Sequence, residues 1–290
     1  MKLIVKFNLV FLVIFVIGLA IAAYVSRGLL QQNARDEVLQ NARIMMESAL
    51  ASRAYTAKQI GPLLETQMKY QFMPQSIPAY GVREQFNDLR KKFTDYAYKE
   101  AALNPTNPGN RATDWEADVV NQFRQTPDRL EIVGERETPS GRSLYMARPF
   151  QIKSTACLTC HSTVDAAPKT MIDLYGPANG FGWKLNEIIG AQIVSVPMTV
   201  PVKRADDTFK VFMVSLSAVF AFIFVALNLM LMYIVIRPVI RLSQIADQVS
   251  LGKLDAPDFQ SKGKDEIAIL AGSFNRMRTS LVQAMKMLEG

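Results

Sequence analysis

The chain has 290 residues, with 33 Lys and Arg against 26 Asp and Glu for a formal net charge of +7. This length allows one or two domains, and the mild basic excess holds no dense basic run, so nucleic-acid binding has no support. Two long uncharged runs inflate the hydrophobic fraction of 49%, and they say more than the net charge.

Residues 1–6 carry Lys2 and Lys6, and an apolar run follows from Phe7 to Ser26. Its length matches the roughly 20 residues that cross a hydrocarbon core. Ala20-Ile21-Ala22 resembles a signal-peptide cleavage site, but the run exceeds the usual h-region of about 7–15 residues, which favours an uncleaved anchor. From Arg27 to about Leu64 helix formers dominate. Leu30, Ala34, Val38, Ala42, Met45 and Ala49 recur near a 3.6-residue period, predicting one long helix that continues out of the first span. Gly61-Pro62 is expected to end or bend it.

Residues 65–128 read as short pieces. Phe72–Pro74 and Ile77–Tyr80 look extended, Val82–Tyr98 helical, and Asn104–Asn110 a turn cluster. A second helix, Thr113–Arg124, opens with Thr113 and Glu116 at capping-box spacing. After Pro127 the texture becomes strand-like, with strands predicted at Arg129–Glu137, Ser143–Lys153 and Ile188–Val196, the first two joined by a turn at Pro139-Ser140-Gly141.

Between the second and third strands lies Ala156-Cys157-Leu158-Thr159-Cys160-His161-Ser162. Cys-x-x-Cys-His is the attachment signature of a c-type haem. Two thiols at that spacing can add to the two vinyl groups of one porphyrin while the next imidazole reaches the iron. The chain has only two Cys and one His, and all three fall in this pentapeptide. Cys157 and Cys160 are thus candidates for the thioethers and His161 for the metal ligand. Two other readings stay open: a zinc site completed by carboxylates, and a redox dithiol, which wants a helix N-terminus in a βαβ setting. Tyr175–Trp183 is glycine-rich and could let backbone approach a flat cofactor, with Phe181 and Trp183 against its edge; a plain loop with core aromatics fits as well. A helical start and a late antiparallel sheet predict an α+β, PAS-like domain.

The second run, Val211–Ile236, is 26 residues without a charge between Lys210 and Arg237. It predicts a second transmembrane helix. Lys2 and Lys6 before the first span, and Arg237 and Arg241 after the second, place both ends in the cytoplasm by the positive-inside rule. Residues 27–210 would then be periplasmic, the oxidising compartment in which c-type haem is attached. In 237–290, Arg237-Pro238 follows the span directly, then Leu251-Gly252-Lys253-Leu254 and Asp265-Glu266-Ile267. Ile267, Leu270, Phe274, Met277, Leu281, Ala284 and Leu288 form a heptad seam, which cannot bury itself in one chain.

Arg53-Ala54-Tyr55-Thr56, Glu100–Pro108, Tyr145-Met146-Ala147-Arg148-Pro149, Cys157–His161 and Tyr175–Trp183 together resemble the single-haem c-type sensor domain of bacterial membrane receptors, a PAS-like domain. The segment after the second span resembles a HAMP module, with Ala268 where a glycine is often found. The first resemblance implies one covalent haem c on Cys157, Cys160 and His161, used for signalling. Arg148 and Trp183 are added as cofactor contacts. Some relatives use a cysteine as second axial ligand; here both are consumed, so a Met is expected instead, with Met45 or Met46 favoured because movement there would pull on the first span.

These readings predict a non-enzymatic, membrane-anchored haem sensor of the bacterial inner membrane that relays redox state or a diatomic gas ligand through a HAMP homodimer. With only Glu289 and Gly290 after Leu288, the output is expected either from a cytoplasmic protein acting in trans or from the rest of a longer protein of which this chain is a fragment. The rival reading is a membrane-tethered monohaem cytochrome for electron transfer. A haem enzyme lacks support, since no second His is present as a distal acid–base group.

Overall fold

Residue 62 is proline, which has no N–H and whose ring would collide with the carbonyl of residue 58 in a regular helix. The chain meets this by widening one turn. In the computed structural model, which describes residues 3–253, 259 and 265–289, α1 (Leu3–Tyr55) passes into a π-turn at Thr56–Ile60 and on into α2 (Gly61–Met68). The Gly61 N–H donates to the Thr56 carbonyl, and the Thr56 hydroxyl donates to the Ser52 carbonyl at 3.0 Å. Gly61-Pro62 therefore bends the helix without ending it.

The chain divides into two compact units, Arg27–Thr208 and the pair Met1–Ser26 with Phe209–Gly290. In the first unit, α3 (Pro78–Arg90) starts with proline in its first turn. β1 (Ala97–Ala102) follows, then α4 (Asp114–Gln125), β2 (Ile132–Thr138), β3 (Gly141–Gln151), α5 (Leu158–His161), α6 (Lys169–Tyr175) and β4 (Ile188–Pro197). The four strands form one antiparallel sheet in the order β1-β4-β3-β2, so the unit is α+β. At the start of α4 the Glu116 carboxylate accepts the Thr113 N–H at 2.8 Å, as the capping-box spacing predicts.

Alternation along the strands divides two cores. On one face Leu144, Met146, Val194 and Val196 meet the α1 stripe Val38, Ala42, Met46 and Ala49. On the other, Ala147, Ala191 and Ile193 meet Val119, Val120 and Phe123 of α4. Each large side chain buried this way contributes about 1.5–3 kcal/mol.

Two expectations are corrected. The predicted helix Val82–Tyr98 stops at Arg90, and Tyr98 lies in β1, the strand missed in the sequence. Tyr98 stacks on Phe86 of α3 with ring centroids 5.0 Å apart, so one apolar patch draws helix and edge strand together. The segments read as extended also differ: Pro74–Ser76 is a 3₁₀ turn and Pro78 opens α3.

The second unit contains the apolar start of α1 and the apolar part of α7 (Thr199–Met230), both long and apolar enough to cross a membrane and neither buried in protein. Phe15 and Phe220 stack at 5.1 Å between them. A second π-turn, Leu231–Ile236, precedes Pro238, and α8 (Arg237–Ser250) follows. Leu242, Ile245 and Val249 of α8 bury against Phe259 and Ala271, the latter on α9 (Glu266–Glu289). Asn275 accepts the Phe259 N–H at 3.2 Å and donates to its carbonyl at 3.0 Å, which pins Phe259 onto α9.

Candidate functional site

The connection from β3 to β4 holds the motif. It leaves the sheet at Ile152, whose N–H donates to the Glu187 carbonyl at 2.9 Å while its own carbonyl accepts the Asn186 N–H at 2.8 Å. The two ends of the excursion are thereby tied. Ser154 starts a 3₁₀ turn, Thr155–Cys157, its hydroxyl accepting the Ala156 N–H at 3.2 Å, and the turn runs into α5. Helical backbone from 157 to 161 sets positions i, i+3 and i+4 on one face, so Cys157, Cys160 and His161 share a side. Both thiols are free and half-buried. Burial pushes the Cys160 thiol up, with a smaller push from Cys157.

His161 is held from several directions. Its Nδ1 lies 2.8 Å from the Gly180 carbonyl and 3.3 Å from the Thr106 hydroxyl. A carbonyl can only accept, so Nδ1 carries the proton and Nε2 keeps its lone pair, the tautomer that ligates metal. Trp183 stacks on the ring at 4.0 Å between centroids and 20°, and its backbone N–H donates to the His161 backbone carbonyl at 3.1 Å. Burial lowers the imidazole pKa against an opposing pull from the Gly180 hydrogen bond, which favours the neutral ring. Gly180 has φ +86°, and a Cβ there would sit 2.0 Å from the Thr106 hydroxyl oxygen. The glycine lets backbone close on His161 and Thr106.

Cys157, Cys160, His161 and Trp183 all line one cavity of about 560 Å³. Its apolar wall includes Phe72, Phe150, Ile152, Met171, Tyr175 and Ile189, and its charged side chains are Arg53, Arg83 and Glu100. Arg53 pairs with Glu100, which is 4% exposed. Tyr98 donates to the same carboxylate at 2.9 Å and accepts from Gln192 at 3.2 Å. The Arg53 guanidinium also lies over the Phe150 ring at 5.0 Å, and that of Arg83 over Tyr80 at 5.4 Å.

The structure does not bring Met46 or Arg148 to this cavity. Met46 is fully buried in the core between α1 and the sheet, because the α1 stripe facing β3 and β4 passes through it; the expectation of Met46 as ligand is corrected. Arg148 is held by Glu47 at 2.7 Å and Glu131 at 3.4 Å and is not on the cavity wall, which corrects its expected contact. Met171 is the methionine on the wall. Sequence reasoning passed over Arg53, Arg83, Thr106 and Gly180, although Arg53, Thr106 and Gly180 lie in stretches that carry the resemblance. Among the described residues no group of three His, Cys, Asp or Glu is placed to hold a metal ion.

A family model described as Tll0287-like matches residues 31–197, and the HAMP domain model matches residues 230–283. No curated protein matches the chain. One similar solved structure is described as the crystal structure of the cyanobacterial heme-protein Tll0287; it is 16% identical with a TM-score of 0.44, covering 56% of this chain and 95% of that one. The family model spans more than half of the chain, as the motifs anticipated: this protein belongs to the Tll0287-like family and carries a HAMP domain behind that region.

Proposed function

We propose that this protein is a membrane-anchored c-type haem sensor, with thioethers at Cys157 and Cys160, His161 as axial ligand, and a HAMP dimer as the relay. The observation that carries this reading is His161 itself. Its Nδ1 is engaged by the Gly180 carbonyl at 2.8 Å, which frees Nε2 beside two unpaired thiols on the wall of an apolar cavity. The residues present fit the group: two thiols and an imidazole on one helical face, a largely apolar cavity, and Trp183 stacked behind the imidazole. A bound haem supplies an iron whose oxidation state and sixth ligand can change. The chain's own residues orient the imidazole, exclude water from the apolar wall and fix the cofactor covalently.

In this reading residues 7–26 and 211–236 span the inner membrane, 27–210 lie in the periplasm and 237–290 in the cytoplasm. The presence of a HAMP domain favours signalling over a tethered electron carrier, which has no use for one. A stimulus can bias the dimer only by the difference in free energy it makes between two packings.

The test is haem content. Full-length protein matured with a c-type attachment system should keep haem through acid-organic extraction, and Cys157→Ala with Cys160→Ala should release it. Haem that resists extraction in the double variant would sink the assignment. Carbon monoxide should change the Soret band of the reduced protein, and a larger response in Met171→Ala would identify Met171 as the competing sixth ligand.

A further inference from the structure

We infer that Arg53 and Arg83 hold the two propionate carboxylates of the haem, an inference that rests on the haem reading above. In a protohaem the two vinyl groups lie on one edge of the porphyrin and the two propionates on the opposite edge. Thioethers at Cys157 and Cys160 commit the vinyl edge to the β3–β4 connection, so the carboxylates must leave toward walls built by other elements. An ionised carboxylate taken into an apolar cavity is costly unless a cation and hydrogen-bond donors meet it. Among the described residues, the cavity wall offers two cations, Arg53 and Arg83, for two propionates. They come from α1 and α3, not from the connection that carries the thiols.

Both guanidinium groups are set in place beforehand. The Arg53 guanidinium sits over the Phe150 ring, 5.0 Å from its centroid, and pairs with the buried Glu100; its five N–H donors exceed what one carboxylate can use. Arg83 lies over Tyr80, and its partner Glu84 is the next residue, half-exposed and 3.2 Å away. A surface pair of this kind contributes little and is readily exchanged. The planar guanidinium fork matches a carboxylate in two parallel bonds, which an ammonium cannot do. Arg148, the arginine the sequence had suggested, is already engaged by two glutamates and lies off the wall.

The experiment uses the full-length, haem-loaded protein and the variants Arg53→Leu, Arg83→Leu and the corresponding Lys replacements. Haem content by pyridine haemochrome should stay at wild-type level in all four, because the thioethers hold the group. The propionate bending modes in resonance Raman should shift in each Leu variant. The midpoint potential should fall, since the lost cation leaves carboxylate charge that favours the ferric state. Lys should restore the potential in part without restoring the vibrational frequencies, which separates a bidentate contact from a general charge effect. Unchanged propionate modes and potential in both Leu variants at normal haem content would overturn the inference and leave the haem reading standing. Wild-type protein without covalent haem would overturn both. If a Leu variant fails to fold, the Lys variant decides: unshifted propionate modes there overturn the assignment for that arginine.

Discussion

Gly180 shows how much rests on one missing Cβ. Its φ of +86° and its approach to Thr106 leave no space for a side chain, and its carbonyl sets the His161 tautomer. Gly180→Ala should cost at least about 1–3 kcal/mol from backbone strain alone, read as a lower unfolding midpoint. It should also broaden or shift the Soret band, because the imidazole loses its anchor. An unchanged spectrum and midpoint would show that Gly180 does not orient His161. Phe123, fully buried between α4 and the sheet, is the contrasting case: Phe123→Ala should cost about 3–5 kcal/mol with the spectrum of the folded fraction unaltered, since Phe123 touches the core and not the cavity.

At the scale of the element, the sheet edge is where pairing is most exposed to disruption. Gly190 in β4 faces Ala102 in β1, and a Cβ there would lie 2.3 Å from the Ala101 carbonyl oxygen. Gly190→Val should therefore push β1 away from β4 at a cost of about 1–3 kcal/mol. Hydrogen exchange should report it as lost protection across Ala97–Ala102 while the β2–β3 ladder keeps its protection; uniform loss across the sheet would contradict an edge effect. The π-turns are a second feature at this scale. Each comes just before a proline near an element boundary, Pro62 in α2 and Pro238 in α8, and each widens the helix where a regular ladder would collide with the ring.

For the whole molecule, the HAMP region leaves part of its seam uncovered in one chain. Leu242, Ile245 and Val249 bury within the chain, while Leu270, Met277 and Leu281 are 50%, 61% and 44% exposed. Apolar a and d positions need a facing helix, so a parallel homodimer is expected. Single cysteines, introduced in a Cys157→Ser and Cys160→Ser background that leaves no other thiol in the chain, can test it. Leu281→Cys should crosslink to its symmetry mate and Thr279→Cys, two residues away on the other side of α9, should not. The reverse result would mean that the seam does not face its copy.

The sequence by itself determined the two apolar spans, the haem-type pentapeptide, the heptad seam and the α+β class, because each rests on local spacing: uncharged length, a three-residue interval, a seven-residue repeat, alternation after a helical start. It also carried the capping box at Thr113 and Glu116, again a local pattern. What only the tertiary structure decided were contacts between residues far apart in the chain. Helical periodicity could put Met45 and Met46 on α1 but could not say that the sheet would take Met46 into its core. The sequence around Arg148 gave no sign that Glu47, 101 positions earlier, would claim it. Arg53 and Arg83 reach the cavity because α1 and α3 pack on the same face of the sheet. β1 was missed for the same reason: its pairing with β4 joins residues 97–102 to 190–195, and no local pattern carries information across that distance.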